Sequence, residues 1–200
     1  MDRVKKIIKQ TSNKFLNLYE LEAERRNGKI SPYYMASRAY EVEKLKISTG
    51  KNNADCVAIY GIYDNKVVLV RQYRYPIDGY IYEFPAGIIE KGEDMVSAAV
   101  REMQEETGLT LTPINSGSYS RPFFTSVGMS DETCGTVYGY LAGNPTNINQ
   151  EDSEDIEVVL ADREECKRIL KDERVAIMCA YMLMHFIDSD DKPFAFLNKK

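Results

Sequence analysis

The sequence predicts a mixed α/β fold of the α+β kind, with sheets and helices packed as a sandwich. Three observations predict it: β-rich runs dominate the first half, one helical segment lies in the middle, and two helices end the chain. This order favours separate layers over a doubly wound parallel sheet, in which strands and helices alternate. With 200 residues, the chain is long enough for one domain with a substantial core and a small additional lobe.

The N-terminal region is predicted to be a small β lobe, residues 1–50, ahead of a main domain at residues 51–200. Phe15–Glu24 partly alternates apolar and polar residues, and the following Asn27-Gly28 suits a tight hairpin turn. Tyr33–Glu43 is the expected returning strand. The lobe is therefore expected to contain a β-hairpin.

The main domain is expected to begin with a second hairpin. Ala54–Tyr63 and Lys66–Tyr73 are β-rich runs, and the Asp64-Asn65 dipeptide between them is typical of a turn. Further strands are predicted at Tyr80–Phe84, Gly117–Phe124, Cys134–Leu141 and Ile156–Leu160.

Three segments have helical spacing. In Asp94–Thr107, an apolar stripe recurs every three or four residues, formed by Met95, Ala98, Ala99 and Met103. Acidic residues begin this helix and Gly108 follows its last turn, as helix ends prefer. Two further helices are predicted at about Asp162–Lys171 and Glu173–Ile187.

The composition argues against several classes of protein. A net charge of -5 leaves no excess of Lys and Arg to neutralise the phosphates of a duplex nucleic acid. The four scattered cysteines form no CxxC pair, which indicates neither a zinc site nor a disulfide framework and favours a cytoplasmic location. We expect no signal peptide, and the most apolar stretch, Val175–Ile187, is too short to span a bilayer.

Three glutamates on the predicted central helix point to metal chemistry. Glu102, Glu105 and Glu106 are spaced so that their carboxylates project from one helix face. A divalent cation would remove the cost of these close like charges, and carboxylate oxygens favour Mg²⁺ or Mn²⁺ over zinc. Arg101 can pair with a neighbouring carboxylate, and Gly87 permits the preceding loop to fold back towards the metal. Taken alone, the acids also fit a solvated helix with ordinary salt bridges.

The segment from Gly87 to Leu109 resembles the Nudix box, Gly-x5-Glu-x7-Arg-Glu-U-x-Glu-Glu-x-Gly-U with U apolar, and matches every specified position. The flanking stretches Arg71–Pro76 (RQYRYP) and Glu83–Gly87 (EFPAG) are similar to the ADP-ribose pyrophosphatase branch. The acidic stretch Glu154–Val158 is similar to that branch and to GDP-mannose pyrophosphatase. The resemblance implies a Nudix α/β/α sandwich with a mixed β-sheet and a small N-terminal β lobe.

The resemblance also implies an activity, the Mg²⁺-dependent hydrolysis of ADP-ribose to AMP and ribose 5-phosphate, or of a related nucleoside diphosphate sugar. Mn²⁺ is the expected substitute metal. Glu102 and Glu106 would be the main metal ligands, assisted by Glu105 and the backbone carbonyl of Ala86. Glu93 would brace the box. The residues expected to act in catalysis are Arg101, Glu93, Glu105 and Glu154.

Substrate contacts are implied in both the N-terminal lobe and the main domain. By the resemblance, Arg74 and Arg38 would bind the diphosphate, with Arg38 contributed by the partner subunit of a homodimer that exchanges N-terminal strands. Tyr33 would stack on the base, although it equally fits a residue that packs the hairpin. Glu83 and Glu132 complete the expected substrate-binding residues.

Relatives place the catalytic base in a loop after the box, and Glu154 is the matching position here. Glu151 and Glu132 are its rivals, and a charged, solvated loop is the alternative for the whole acidic stretch. The single histidine, His185, lies in an apolar helix, which favours a packed residue and argues against a histidine-dependent triad.

The chain departs from the family pattern at the base site. It has no Trp, whereas some relatives sandwich adenine between tryptophans, and Ser126-Val127-Gly128 replaces a Ser-Pro-Gly. GDP-mannose or another nucleotide sugar therefore stays open as the substrate. A catalytically silent domain that senses a nucleotide is a second alternative, which the intact box disfavours, and the flanking motifs disfavour nucleoside triphosphates.

Overall fold

A computed structural model describes residues 3–146, 155–189 and 192–198. The chain divides into two compact units, one formed by Met1–Asp55 with Pro122–Cys134 and the other by Cys56–Arg121 with Gly135–Lys200. The strands are β1 (Val4–Lys9), β2 (Asn17–Glu24), β3 (Ile30–Ser37), β4 (Cys56–Tyr63), β5 (Lys66–Arg74), β6 (Gly79–Glu83), β7 (Ala86–Ile88), β8 (Thr110–Pro113), β9 (Phe123–Phe124), β10 (Thr133–Ala142) and β11 (Ile156–Ala161). The α-helices are α1 (Lys46–Thr49), α2 (Met95–Thr107), α3 (Arg163–Asp172) and α4 (Ile177–Ile187).

The first unit contains an antiparallel sheet in the order β1-β2-β3. The predicted turn at Asn27-Gly28 is confirmed, because Gly28 has a φ of 81° and joins β2 to β3. The returning strand ends at Ser37 instead of Glu43, since the chain forms a 3-10 turn at Val42–Lys44. The small core of this unit consists of Tyr19, Leu21, Met35 and Leu45.

The second unit is built on a sheet in the order β11-β5-β4-β10-β8, with β6 beside β5 and β7 beside β4. The hairpin of β4 and β5 turns at Asp64 and Asn65, which have φ values of 45° and 58°. Both residues adopt the left-handed conformation that a two-residue hairpin loop requires and that Asp and Asn tolerate. The predicted hairpin is thereby confirmed.

Successive side chains of β4 point to opposite faces of this sheet. Because both faces carry apolar side chains, helices cover each of them. Val57 and Ile59 pack with the apolar stripe of α2, which includes the buried Ala99 and Met103. The neighbouring Tyr60 faces the other way, where its ring contacts the C-terminal aromatic residues Phe194 and Phe196, and His185 of α4 packs on Phe196. The predicted α/β/α sandwich is confirmed.

One predicted strand is wrong, and one predicted helix begins later than expected. Gly117–Phe124 is not one strand: Gly117 has a φ of 54° and begins a 3-10 turn, so that only β9 remains extended. The helix predicted from Glu173 begins at Ile177, because Val175 forms a parallel bridge with Tyr82 of β6. β1, β7 and β8 were not predicted.

The four cysteines are free. Burial raises the pKa of the Cys166 thiol to about 12. In the described part of the chain, no helix is long and apolar enough to cross a membrane.

Candidate active site

Helix α2 begins at a strong N-terminal cap. The Asp94 carboxylate accepts hydrogen bonds from the backbone N–H groups of Val96 and Ser97, at 2.9 Å each. These bonds, with that of Ser97 the largest, lower the pKa of Asp94. They satisfy two of the free N–H groups that every helix has at its start. The cap fixes where the helix begins, and with it which side chains share each face.

Arg101 binds three glutamates of the box at once. Its Nε and Nη2 donate to the two carboxylate oxygens of Glu93 at 3.1 and 3.0 Å, and its Nη1 donates to Glu102 at 2.8 Å and Glu105 at 2.9 Å. Nη2 also donates to the backbone carbonyl of Ile88 at 3.1 Å. All three guanidinium nitrogens are therefore used within the box, and Arg101 holds the loop against α2.

The same contacts set the charge state of these groups. The hydrogen bond from Arg101, followed by that from the Glu90 backbone, holds the pKa of Glu93 below its usual value. The carboxylates in turn raise the pKa of Arg101, with Glu93 the largest cause. Glu93 is ionised at neutral pH, and its carboxylate connects the Glu90 backbone to Arg101.

Glu102 and Glu106 are the two buried carboxylates of α2, with only 9% and 2% of their surface exposed. One oxygen of Glu106 accepts a hydrogen bond from the backbone N–H of Ala86 at 3.1 Å. The Glu102 carboxyl lies against Gly87, where an added Cβ would come within 1.8 Å of it. Gly87 is thus required by close approach of a side chain, and its backbone φ is not positive.

This arrangement fits a divalent metal ion by its chemistry. The donors are oxygen atoms of buried carboxylates next to the backbone of Ala86, and the absence of a side chain at Gly87 lets the Glu102 carboxyl approach that backbone. Hard cations such as Mg²⁺ prefer such oxygen donors. Among the described residues, no three acidic, Cys or His side chains converge into a metal-binding group. The glutamates are instead held by Arg101 and by the backbone N–H of Ala86.

Strand β5 places Arg74 beside Glu83 of β6. The Arg74 Nε donates to Glu83 Oε2 at 2.6 Å, and the arginine side chain is 45% exposed. The preceding Arg71 has a different setting: its Nη1 lies 3.4 Å from Glu157 Oε2, and its guanidinium stacks on the Tyr80 ring at 4.1 Å.

In the first unit, three residues predicted to contact the substrate lie near the segment that follows β9. Arg38 Nε donates to Glu132 Oε1 at 2.7 Å, and the Tyr33 hydroxyl donates to the Gly128 carbonyl at 2.6 Å. Glu132 also accepts a hydrogen bond from the Thr125 hydroxyl at 3.2 Å. Thr125 was not singled out in the sequence, because it belongs to no motif and its only signal is its proximity to Glu132.

The predicted bases Glu154 and Glu151 lie outside the described residues. The next residue, Asp155, is well anchored: it accepts a hydrogen bond from the Tyr80 hydroxyl at 2.6 Å, and its carbonyl accepts one from the Tyr73 N–H at 3.0 Å. His185 packs edge-on against the Phe196 ring, with centroids 4.3 Å apart. Its Nε2 is buried and has no hydrogen-bond partner within the described part of the chain.

Comparisons with known proteins agree with this geometry. Residues 52–177 match the family described as NUDIX domain. The ADP-ribose pyrophosphatase of Bacillus subtilis is 31% identical over 171 residues, which are 82% of this chain and 80% of that protein. The ADP-sugar pyrophosphatase of Mus musculus is 43% identical over 77 residues, 36% of this chain and 35% of that protein.

The fold is also found in a solved structure. A crystal structure described as ADP compounds hydrolase superposes with a TM-score of 0.63 at 20% identity, covering 84% of this chain and 82% of the other. This likeness supports the fold. The residues that match the family model, 52–177, include the complete box from Gly87 to Leu109. The chain belongs to the Nudix family.

Proposed function

We propose that this chain hydrolyses the pyrophosphate bond of ADP-ribose, releasing AMP and ribose 5-phosphate. The observation that carries the proposal is the pair of buried carboxylates on α2, Glu102 held by Arg101 and Glu106 held by the backbone N–H of Ala86. The name of the Bacillus subtilis relative, ADP-ribose pyrophosphatase, supports the choice of substrate.

We further propose that Mg²⁺ is the metal, which Mn²⁺ can replace. Glu102 and Glu106 would hold it, assisted by Glu105 and the carbonyl of Ala86. When bound, the ion would neutralise the charge of the pyrophosphate oxygens and lower the pKa of a water molecule. The protein's contribution is to keep its ligands in place before the substrate arrives, which favours electrostatic stabilisation of the transition state.

Each neighbouring residue then has a defined task. Arg101 orients Glu102 and Glu105, and Glu93 fixes Arg101 from the loop side through both carboxylate oxygens. Arg74 and Arg38 bind the diphosphate, where a guanidinium can contact two phosphate oxygens together. Glu154 is proposed to deprotonate or orient the attacking water.

The proposal also covers the contact with the nucleobase and the oligomeric state. Tyr33 offers a ring that is 44% exposed, large enough to stack on a nucleobase. We propose a homodimer with exchanged N-terminal strands, located in the cytoplasm, in which Arg38 comes from the partner subunit.

The test is phosphate release, with a coupled phosphatase, from ADP-ribose, GDP-mannose, UDP-glucose, NADH and diadenosine polyphosphates. We expect Mg²⁺-dependent turnover of ADP-ribose that EDTA abolishes. Preference for GDP-mannose would keep the chemistry and change the substrate, an outcome to which the lack of Trp is relevant. Tight nucleotide binding without any turnover would contradict the proposal and favour a sensor domain.

A further inference from the structure

The two arginines proposed to bind the diphosphate are held by a glutamate in the same way. In one unit Arg74 Nε donates to Glu83 at 2.6 Å, and in the other unit Arg38 Nε donates to Glu132 at 2.7 Å. The arginine side chains are 45% and 42% exposed, and their glutamate partners only 22% and 27%. In each pair the carboxylate is the more enclosed member and the guanidinium the more accessible one.

The atom used in each pair decides what remains available. A guanidinium carries five N–H donors in a planar fork, and a carboxylate on Nε occupies its side. The edge formed by Nη1 and Nη2 matches two oxygens of a phosphate. Among the described residues, no hydrogen bond engages this terminal edge in Arg74 or Arg38. Both arginines therefore keep the edge that suits a phosphate.

We propose that Glu83 and Glu132 are positioning residues that orient Arg74 and Arg38 towards the diphosphate. This inference rests on the proposed function, because it takes the diphosphate as the ligand. A carboxylate in direct contact with a diphosphate would be repelled by it. When the carboxylate instead binds Nε, it fixes the guanidinium and leaves the Nη1 and Nη2 edge free to bind the diphosphate.

Glu132 has further contacts, and Glu83 lies within a strand. The two oxygens of Glu132 are divided between Arg38 and the Thr125 hydroxyl, and the Thr125 N–H donates to the Glu132 carbonyl at 3.1 Å. Glu83 lies in β6 opposite Val70 of β5. Because the glutamates are fixed, less side-chain freedom is lost when the arginines bind an anion.

The turn between β5 and β6 is itself braced. The Tyr73 hydroxyl bonds the Asp78 carboxylate, and Arg174 Nη1 donates to the Ile77 carbonyl at 3.3 Å. These contacts fix the loop that directly follows Arg74. The arginine therefore extends from a rigid hairpin, as a preorganised anion site requires.

Glu132 is also less suited than the acidic stretch to act as the catalytic base. Both oxygens of Glu132 already accept hydrogen bonds, which suits a residue that positions Arg38. The acidic stretch that includes Glu151 and Glu154 is thereby favoured as the source of the base.

A neighbouring ion pair supplies the contrast and a matched control. Arg71 meets Glu157 through Nη1 at 3.4 Å, and Glu157 is 66% exposed. Arg71 lies on the same strand as Arg74, but it meets Glu157 of β11 through a terminal nitrogen, so the pair is an ordinary surface salt bridge. Substituting Glu157 should alter neither substrate binding nor turnover.

The experiment compares Glu83→Leu, Glu83→Gln and Glu157→Leu by steady-state hydrolysis of ADP-ribose with Mg²⁺. We expect Glu83→Leu to raise KM about tenfold with kcat changed less than about threefold, since a charge-assisted hydrogen bond is lost. Glu83→Gln, which keeps an acceptor oxygen, should restore part of the affinity. Glu157→Leu should stay within about twofold of wild type.

A double-mutant cycle with Arg74→Ala identifies the route of the effect. If Glu83 acts through Arg74, Glu83→Leu adds no further rise in KM once Arg74 is Ala. The same test applies to Glu132→Leu in an Arg38→Ala background. An unchanged KM in Glu83→Leu, or an equal effect in both backgrounds, would overturn the inference.

A binding measurement separates this inference from the proposed function. Titration calorimetry with ADP measures diphosphate affinity without turnover. If the wild type hydrolyses no substrate, the proposed function fails. Even then, weaker ADP binding by Glu83→Leu, with unchanged binding by Glu157→Leu, would support the positioning role of Glu83. Equal ADP affinity in wild type, Glu83→Leu and Glu157→Leu would overturn it, and midpoints of thermal unfolding will show whether each variant is folded.

Discussion

Arg101 in the box and Arg74 in the β5–β6 hairpin place the same guanidinium group in two different settings. Arg101 uses Nε, Nη1 and Nη2 on three glutamates and a backbone carbonyl, and its side chain is 28% exposed. Among the described residues Arg74 uses only Nε, and its side chain is 45% exposed. Arg101 is engaged at every guanidinium nitrogen, whereas within the described residues Arg74 keeps Nη1 and Nη2 available to a ligand.

The largest expected effect lies on the side that builds the site. Glu106→Gln should lower kcat for ADP-ribose by about a thousandfold, because a neutral amide is a poor metal ligand and changes the bond to the Ala86 N–H. The protein should remain folded. The measurement is Mg²⁺-dependent phosphate release with an unfolding curve for the same sample.

Glu90 offers the matched control for this variant. It lies in the same loop, is exposed, and contributes its backbone N–H to Glu93. Glu90→Gln should keep wild-type turnover. Full activity in Glu106→Gln would show that the buried carboxylate is structural and would contradict its proposed role as a metal ligand.

Gly87→Ala should have the next largest effect. The added Cβ would lie 1.8 Å from the Glu102 carboxyl, so this side chain must move away from its place beside Arg101. We expect kcat to fall about a hundredfold, since a displaced ligand no longer meets the metal. Phosphate release and the affinity for Mn²⁺ measure the two consequences.

A second variant tests whether the clash is the cause. In Gly87→Ala with Glu102→Ala, the carboxyl that meets the new Cβ is gone. Any loss of thermal stability in Gly87→Ala should therefore recover in the double variant, although activity should not. Persistent instability would point to a backbone effect at this glycine instead.

Lysine substitutions at the two arginines sharpen the comparison directly. Arg101→Lys should lower both kcat, by about thirtyfold, and the midpoint of unfolding, because an ammonium cannot serve Glu93, Glu102 and Glu105 together. Arg74→Lys should raise KM by about tenfold and leave the unfolding midpoint unchanged. Steady-state kinetics and thermal unfolding of both variants measure these changes. Equal changes in kcat, KM and unfolding midpoint in the two variants would mean that Arg101 and Arg74 have equivalent roles.

How far the sequence predicts this molecule differs between its regions. The box helix was predicted almost to the residue, because a capping acid at Asp94, an apolar stripe and a terminal glycine all agree. Where local signals agree in this way, prediction is reliable. The contact between Gly87 and Glu102 could not be predicted, since spacing shows that two residues lie near each other and not which atoms meet.

Predictions failed where the local pattern was ambiguous. Gly117–Phe124 contains aromatic residues that suit a strand, but the Asn115 side chain accepts a hydrogen bond from the Gly117 N–H and the chain turns there. β8 was missed because only Leu111 among its four residues is buried. The register of β5 and β6 pairs Arg74 with Gly79 and Glu83 with Val70, so the Nε contact between Arg74 and Glu83 runs diagonally across the hairpin, which a motif does not encode.

The smallest expected effect concerns stability in acid. The pKa of Glu93 is lowered in the folded protein, chiefly by Arg101, from an ordinary value of 4.5. Its contribution to stability is therefore complete above about pH 4.5 and is lost as the pH falls through the lower folded pKa. Glu93→Gln should reduce the free energy of unfolding at pH 7, and the difference from wild type should shrink steadily below pH 4.5. Urea unfolding at several pH values measures this. A difference that persists undiminished at about pH 3 would show that shape, and not the charge of Glu93, holds Arg101 in the box.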